Sequence, residues 1–307
     1  MGNVKAKESK TQRYLFPFME EVIISLRKLG KARTSETYAT TLSSFKRFRQ
    51  GKDIALKKIN SDLMLEYEVY LKNKGICPNS SSFYMRILRA VYNRAVEQGL
   101  TLQHHPFKYV YTGVEKTLKR AVSLSVIRKI KDIDYSMRPA FDFARDMFLF
   151  SFYTRGMSFV DMAYLRKKDL DNGVLIYRRR KTGQKLHIKW EPCMQEIIDK
   201  YDNSSSAFLL PIIKSESQTE ARKQYIYSAH NINRCLKIIG KELELPLSLT
   251  LYVARHSWAS IARSKRVPIS IISEGMGHDS ETTTRIYLAA LDTVEIDKAN
   301  SLIIGSL

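Results

Sequence analysis

A histidine and a tyrosine, His278 and Tyr287, stand nine residues apart across the polar turn of GMGHDSETTTRIYLAA, residues 275–290. A tyrosine hydroxyl can attack phosphorus when cationic donors hold the non-bridging oxygens and an acid protonates the departing oxygen. Two upstream stretches offer such groups. RRRKTGQK, residues 178–185, crowds Arg178, Arg179, Arg180, Lys181 and Lys185 around one glycine, and a turn of this kind can project a lysine beyond its strands toward a phosphate or a DNA groove. VARHSWAS, residues 253–260, reads as the start of a helix carrying Arg255 and His256, where free amides and a guanidinium fork would together receive an oxyanion. Each stretch has a plain alternative: a solvated basic turn, an arginine paired with a carboxylate, a half-buried ring among 17 tyrosines. As one constellation they supply every part that attack on a phosphodiester needs.

The rest of the chain suits an anionic partner. Its 307 residues carry 51 lysines and arginines against 31 aspartates and glutamates, a formal charge of +20. Residues 1–110 hold 20 basic and 9 acidic side chains and the remainder hold 31 and 22. Both parts are therefore basic, which fits a two-sided grip on a polyanion better than one basic tail would. With 44% hydrophobic and 27% charged residues the composition is globular. Cys77, Cys193 and Cys235 show no CxxC spacing and no neighbouring histidine, which argues against both a zinc site and a disulfide framework. No run approaches 18 uncharged apolar residues, so no membrane partner is expected and an intracellular protein is the default.

The elements that must position these residues follow from periodicity. Helices are predicted over 15–29, with Phe18, Val22 and Leu26 on one face, and from Thr34 or Ser35 onward, with Tyr38, Leu42, Phe45 and Phe48 recurring. Two more are predicted over 61–75 and 79–99, the last capped by Ser80 to Ser82 and turning Ile87, Val91 and Ala95 inward. Residues 104–123, with Pro106, Gly113 and four basic residues between 108 and 120, read as a linker running over the surface. The division expected is a helical DNA-binding domain over 1–112, a linker over 113–120 and a second domain over 121–307. That second domain mixes helices at SVIRKIKDI, FDFARDMFLFSFYTRG, FVDMAYL, 220–243 and 253 onward with a hairpin formed by VLIYRRR and KLHIKW. SAFLLPII is either a buried strand or a loop. The fold class is mainly α with a small antiparallel sheet.

The ordered set KTG, ARHSWAS, GMGHDS and TRIYLA resembles the catalytic domain of the tyrosine recombinases, the phage integrase family, particularly its Bacteroides-type integrases. The resemblance covers nearly the whole chain, because that family sets a small helical, SAM-like core-binding domain before the catalytic one. It implies that Lys181 is the general acid toward the leaving 5′ hydroxyl and that Arg255 clamps the scissile phosphate. It also implies that His278 packs and hydrogen-bonds beside that phosphate, and that Tyr287 forms a 3′-phosphotyrosyl link. The implied partners are double-stranded DNA with specific recombination sites, three further copies of the chain in a homotetramer on that DNA and, as an allowed addition, an accessory DNA-bending protein. A bacterial cytoplasmic, nucleoid-associated location goes with them. Religation reverses cleavage and conserves bond energy, so neither ATP nor a metal or other cofactor is called for.

Two positions depart from the family pattern. Where its HxxR motif has histidine, three residues before Arg255, this chain has Tyr252, and a phenol with a pKa near 10 is a poor base at neutral pH. A helper in removing the proton of Tyr287 is then better sought in His278, or in the phosphate itself. GMSFVDMAYL, residues 156–165, puts Ser158 where the first catalytic arginine belongs and Asp161 where a buried carboxylate braces the site. Arg155, about one turn upstream, is the residue expected to supply the missing charge. These departures keep open a catalytically weakened DNA-binding regulator of the same fold. Type IB topoisomerases share the nucleophile, and the distinction from them rests on the N-terminal helices and on the tail LDTVEIDKANSLIIGSL, whose Val294, Ile296, Leu302 and Ile303 suit docking on a neighbour.

Overall fold

The computed structural model describes residues 13–115, 120–201, 203–288 and 300–306. The chain forms two compact units that divide between Thr117 and Leu118.

The first unit contains α1 (Leu15–Lys28), α2 (Ala32–Phe48), α3 (Ser61–Asn73) and α4 (Pro78–Glu97). Each helix buries a stripe at three- to four-residue spacing: Phe18 and Val22, Leu42 and Phe45, Tyr67 and Leu71, then Ile87, Val91 and Ala95. Phe45 meets Tyr67 edge-on with ring centroids 5.0 Å apart. The Tyr67 hydroxyl donates to Ser44 Oγ at 2.8 Å, which satisfies the polar end of a fully buried ring. The side chain of Asn60 caps α3 by accepting from the Leu63 amide at 3.0 Å. In contrast to the serine caps expected, α4 starts at Pro78 behind Cys77; proline presets the helical φ and has no amide to leave unpaired there.

The stretch read as a surface linker begins inside this unit. Phe107 and Val110 are each 7% exposed and join its hydrophobic core. Ser82 Oγ donates to the Gly113 carbonyl at 2.5 Å, and Asn79 exchanges two hydrogen bonds with the backbone of Glu115. Pro106, Gly113 and the basic residues make the segment read as solvated, but its two apolar anchors decide where it packs.

The second unit contains α5 (Leu124–Asp132), α6 (Pro139–Tyr153), α7 (Phe159–Ala163), β1 (Leu170–Asp171), β2 (Val174–Arg178) and β3 (Lys185–Lys189). It continues with α8 (Pro192–Asp199), α9 (Gln218–Glu242), α10 (Leu251–Ser264), α11 (Ile269–Gly275) and α12 (Glu281–Leu288). The strongly apolar α6 is central: Met147, Phe148 and Phe150 are fully buried, in one core with Ile232, Leu236 and Ile239 of α9 and with Val253 and Ala254 of α10. The strands pair antiparallel in the order β1-β2-β3, and the last pair before the tip is Arg178 opposite Lys185. At the tip the Arg179 amide donates to the Gln184 carbonyl at 2.9 Å, and Gly183 takes φ +74°, a conformation that suits glycine. SAFLLPII is buried but irregular, with a single bridge from Phe208 to Arg166.

Two expectations change here. Helix α10 begins at Leu251, so Arg255 is its fifth residue and the free N-terminal amides lie a turn away from it; Arg255 acts through its side chain alone. In the C-terminal tail, Val294 and Ile296 lie outside the described residues, while Leu302 and Ile303 are exposed on the helical residues 300–304.

Candidate active site

Arg255 projects from α10 toward two backbone turns, at Gly156 and at Met276. Its Nη1 donates to the Gly156 carbonyl at 2.7 Å, its Nη2 donates to the Met276 carbonyl at 2.7 Å, and Nη2 also lies 2.9 Å from His278 Nε2. The side chain is only 4% exposed. Gly156 takes φ +73°, and a Cβ there would stand 2.7 Å from Arg255 Cα, so close approach of the two backbones requires glycine.

A guanidinium has no acceptor, so His278 Nε2 must accept and Nδ1 must carry the proton, which it donates to Thr284 Oγ1 at 2.7 Å. Burial, followed by the charges of Arg255, Arg179 and Lys181, pushes the His278 pKa down to about 4. The imidazole is therefore neutral at neutral pH, and its one ring lone pair is turned to Arg255. Thr284 is fully buried on α12, three positions before Tyr287. The His278–Thr284 bond thus pins the helix that carries the tyrosine. The nine-residue interval is the span of that turn and helix start.

A second buried guanidinium stands beside this cluster, and sequence reasoning misses it. Arg179, 6% exposed, donates through Nη1 to the Gly277 carbonyl, the next carbonyl after the one Arg255 takes. Gly277 takes φ +64°, and a Cβ on it would lie 2.6 Å from Arg179 Cδ. Asp161, on α7, is 3% exposed. Its Oδ2 accepts from Ser158 Oγ at 2.6 Å and its Oδ1 from the Arg180 amide at 2.8 Å, while Arg179 Nε lies 3.9 Å from Oδ2. One carboxylate thus braces both the start of α7 and the hairpin. The signal for Arg179 is the two-residue strand period: Leu175, Tyr177 and Arg179 are buried, whereas Arg178 and Arg180 are exposed. In the unbroken run of three arginines that alternation is hidden.

The other expected residues are placed as follows. Lys181 is exposed at the hairpin tip, near enough for its charge to act on His278. Tyr287 lies on α12, and its side chain falls outside the described residues. Arg155 follows α6 at φ +62°; its Cδ lies 3.7 Å from where a Gly275 Cβ would stand, and it lines a groove with Trp258, Ile271 and Glu274. Tyr252 is exposed, its ring edge-on to His256 at 4.5 Å between centroids. Among the described residues there is no cluster of metal-ligating side chains, and no helix is long and apolar enough to cross a membrane.

A helical unit is thus followed by a mostly helical one in which buried cations gather beside a tyrosine-bearing helix. Residues 14–113 match the phage integrase SAM-like domain and residues 134–293 match the phage integrase family. The chain belongs to the phage integrase family, the tyrosine recombinases. It is 24% identical over 277 residues to tyrosine recombinase XerA of Pyrococcus horikoshii, across 88% of this chain and 87% of that one. It is 25% identical over 283 residues to tyrosine recombinase XerC of Treponema denticola, across 85% and 89% of the two chains. Among solved structures, a lambda integrase dimer bound to a COC′ core site superposes with a TM-score of 0.67 at 16% identity, covering 91% of this chain and 78% of that one. XerH bound to palindromic difH in a post-cleavage complex gives 0.66 at 18% identity, covering 94% and 84%. Both share the fold.

Proposed function

We propose that the chain is a site-specific DNA recombinase that cuts and rejoins strands through Tyr287. Tyr287 Oη attacks the scissile phosphorus, an O–P bond to the 3′ side forms, and the P–O5′ bond breaks. The 5′ oxygen takes its proton from the Lys181 ammonium, and the lysine recovers one, through water, from the phenol. Arg255 holds the non-bridging oxygens as charge builds on them, and neutral His278 keeps that guanidinium and α12 in register. The reverse reaction joins a 5′ hydroxyl from the partner duplex, so bond energy is kept.

The observation that carries this reading is the unbroken hydrogen-bonded path from Arg255 through His278 to Thr284 on the tyrosine-bearing helix. A DNA-binding regulator without catalysis would have no use for a buried arginine fastened to that helix. The acting form is a homotetramer on two duplexes, located in the cytoplasm with the nucleoid, with both basic units contacting DNA; an accessory DNA-bending protein is compatible with it.

The test is a nicked suicide duplex, its site selected from a random-sequence pool by binding to the full chain. The intact chain forms a covalent adduct that survives denaturation, and Tyr287→Phe forms none. A selected, tightly bound duplex that never yields an adduct would sink the enzymatic reading.

A further inference from the structure

Ser158 stands where the family motif has its first arginine, and its hydroxyl is committed to Asp161 Oδ2 at 2.6 Å. Arg179 approaches the same oxygen, with Nε 3.9 Å away. The two positions therefore converge on one carboxylate, one from α7 and one from the end of β2.

The bonding of Arg179 is incomplete for so buried a charge. Nη1 is used on the Gly277 carbonyl, but Nε is buried with no hydrogen-bond partner, and no bond from Nη2 occurs among the described residues. Arg255, by contrast, has two carbonyls and an imidazole. Holding a guanidinium at 6% exposure with donors unmet is costly unless an anion arrives to meet them. The surroundings call for an anion too, since Arg255, Arg179 and Lys181 all act on His278 and Asp161 is the carboxylate that bonds to this hairpin. Arg155 has a different setting, in the groove beside Trp258 and Glu274.

We propose that Arg179, rather than Arg155, supplies the guanidinium missing at Ser158, donating from the end of β2 to a non-bridging oxygen of the scissile phosphate beside Arg255. This rests on the recombinase reading. The motif has in effect been rewired: Asp161 is kept, and the cation it braces comes from the hairpin.

The experiment uses the full chain and the selected nicked duplex in two forms, one with an ordinary scissile phosphate and one with a methylphosphonate there. An arginine that neutralises a non-bridging oxygen is needed only where that oxygen carries charge. Arg179→Ala should slow adduct formation by about 100-fold or more on the phosphate and stay within about 10-fold of the intact chain on the methylphosphonate. The double variant Arg179→Ala/Ser158→Arg should regain part of the loss on the phosphate. Arg179→Gln, which keeps much of the bulk and a hydrogen-bond donor but no charge, is read in the same way and covers the case in which alanine unfolds the unit. No loss on the phosphate, or an equal loss on both substrates by a variant that still binds the duplex, overturns the proposal and makes Arg179 a packing residue. If the intact chain forms no adduct on either form, the recombinase reading itself falls and this proposal with it.

Discussion

The buried polar residues of the two units are of different kinds. Among the described residues, those of the first unit are all hydroxyls: Ser35, Thr41, Ser44, Ser81, Ser82 and Thr101. Those of the second include Asp142, Asp146, Asp161, Arg179, Arg255 and His278. Near the start of α6 the carboxylates are neutralised on the spot, Asp142 and Asp146 by Arg145 and Lys200. Around His278 the excess is cationic. A neutral hydroxyl pair such as Tyr67 with Ser44 closes on itself and does nothing more than hold a core together. Buried cations that outnumber their carboxylates mark a pocket made for a second party, because stability alone would favour apolar residues there.

Substitutions in the two interiors should then separate stability from chemistry. The largest effect is expected of Arg255→Ala, which strips the donor from two buried carbonyls and an imidazole. Adduct formation should fall by about 1,000-fold, and urea unfolding should show a loss of about 3 kcal/mol. Next comes the pH response of His278. Its pKa is lowered from 6.5 to about 4 by burial and by the neighbouring cations, so the unfolded chain takes up the proton first as pH falls. Its contribution is nil above about pH 6.5 and becomes a loss of about 3 kcal/mol on descending to pH 4. His278→Gln should flatten that part of the stability profile, measured by urea midpoints at each pH; a profile unchanged by the substitution contradicts the buried neutral imidazole. The smallest effect belongs to Tyr67→Phe, expected to cost about 1 kcal/mol and to leave the adduct rate alone. A change in cleavage without a change in stability there would break the contrast between the units.

Much of the fold was legible because it follows from local rules. The apolar stripes through Phe18 and Val22, Leu42 and Phe45, and Ile87 and Val91 lie where their spacing puts them. So does the hairpin, whose paired residues run from Val174 with Lys189 to Arg178 with Lys185. What was hidden depends on contacts between distant segments. Phe107 and Val110 find their core only once α4 is in place, and composition alone assigns them to a linker. The helix starts at Leu251 directly behind Thr250, a residue type that favours the cap position and that the reading from Val253 passes over.

For the candidate site, the structure brings together Arg255 and His278, two members of the set that the sequence offers with Tyr287. Arg179 was not in that set, because its meaning comes from Asp161, 18 positions earlier, and from Gly277, 98 positions later. Strand alternation from Leu175 would have singled it out. A serine at 158 invites a search one helical turn away, toward Arg155, whereas the fold brings a buried guanidinium, that of Arg179, toward Asp161 from another element.

The central claim is that Tyr287 becomes covalently joined to a DNA 3′ phosphate. Peptide mapping of the trapped adduct tests it most directly: after digestion with nuclease and trypsin, the peptide spanning 286–298 should carry the mass of a 3′-linked nucleotide on Tyr287, with a free 5′ hydroxyl on the released strand. A nucleotide on any other residue, or a 5′ link, would contradict the account.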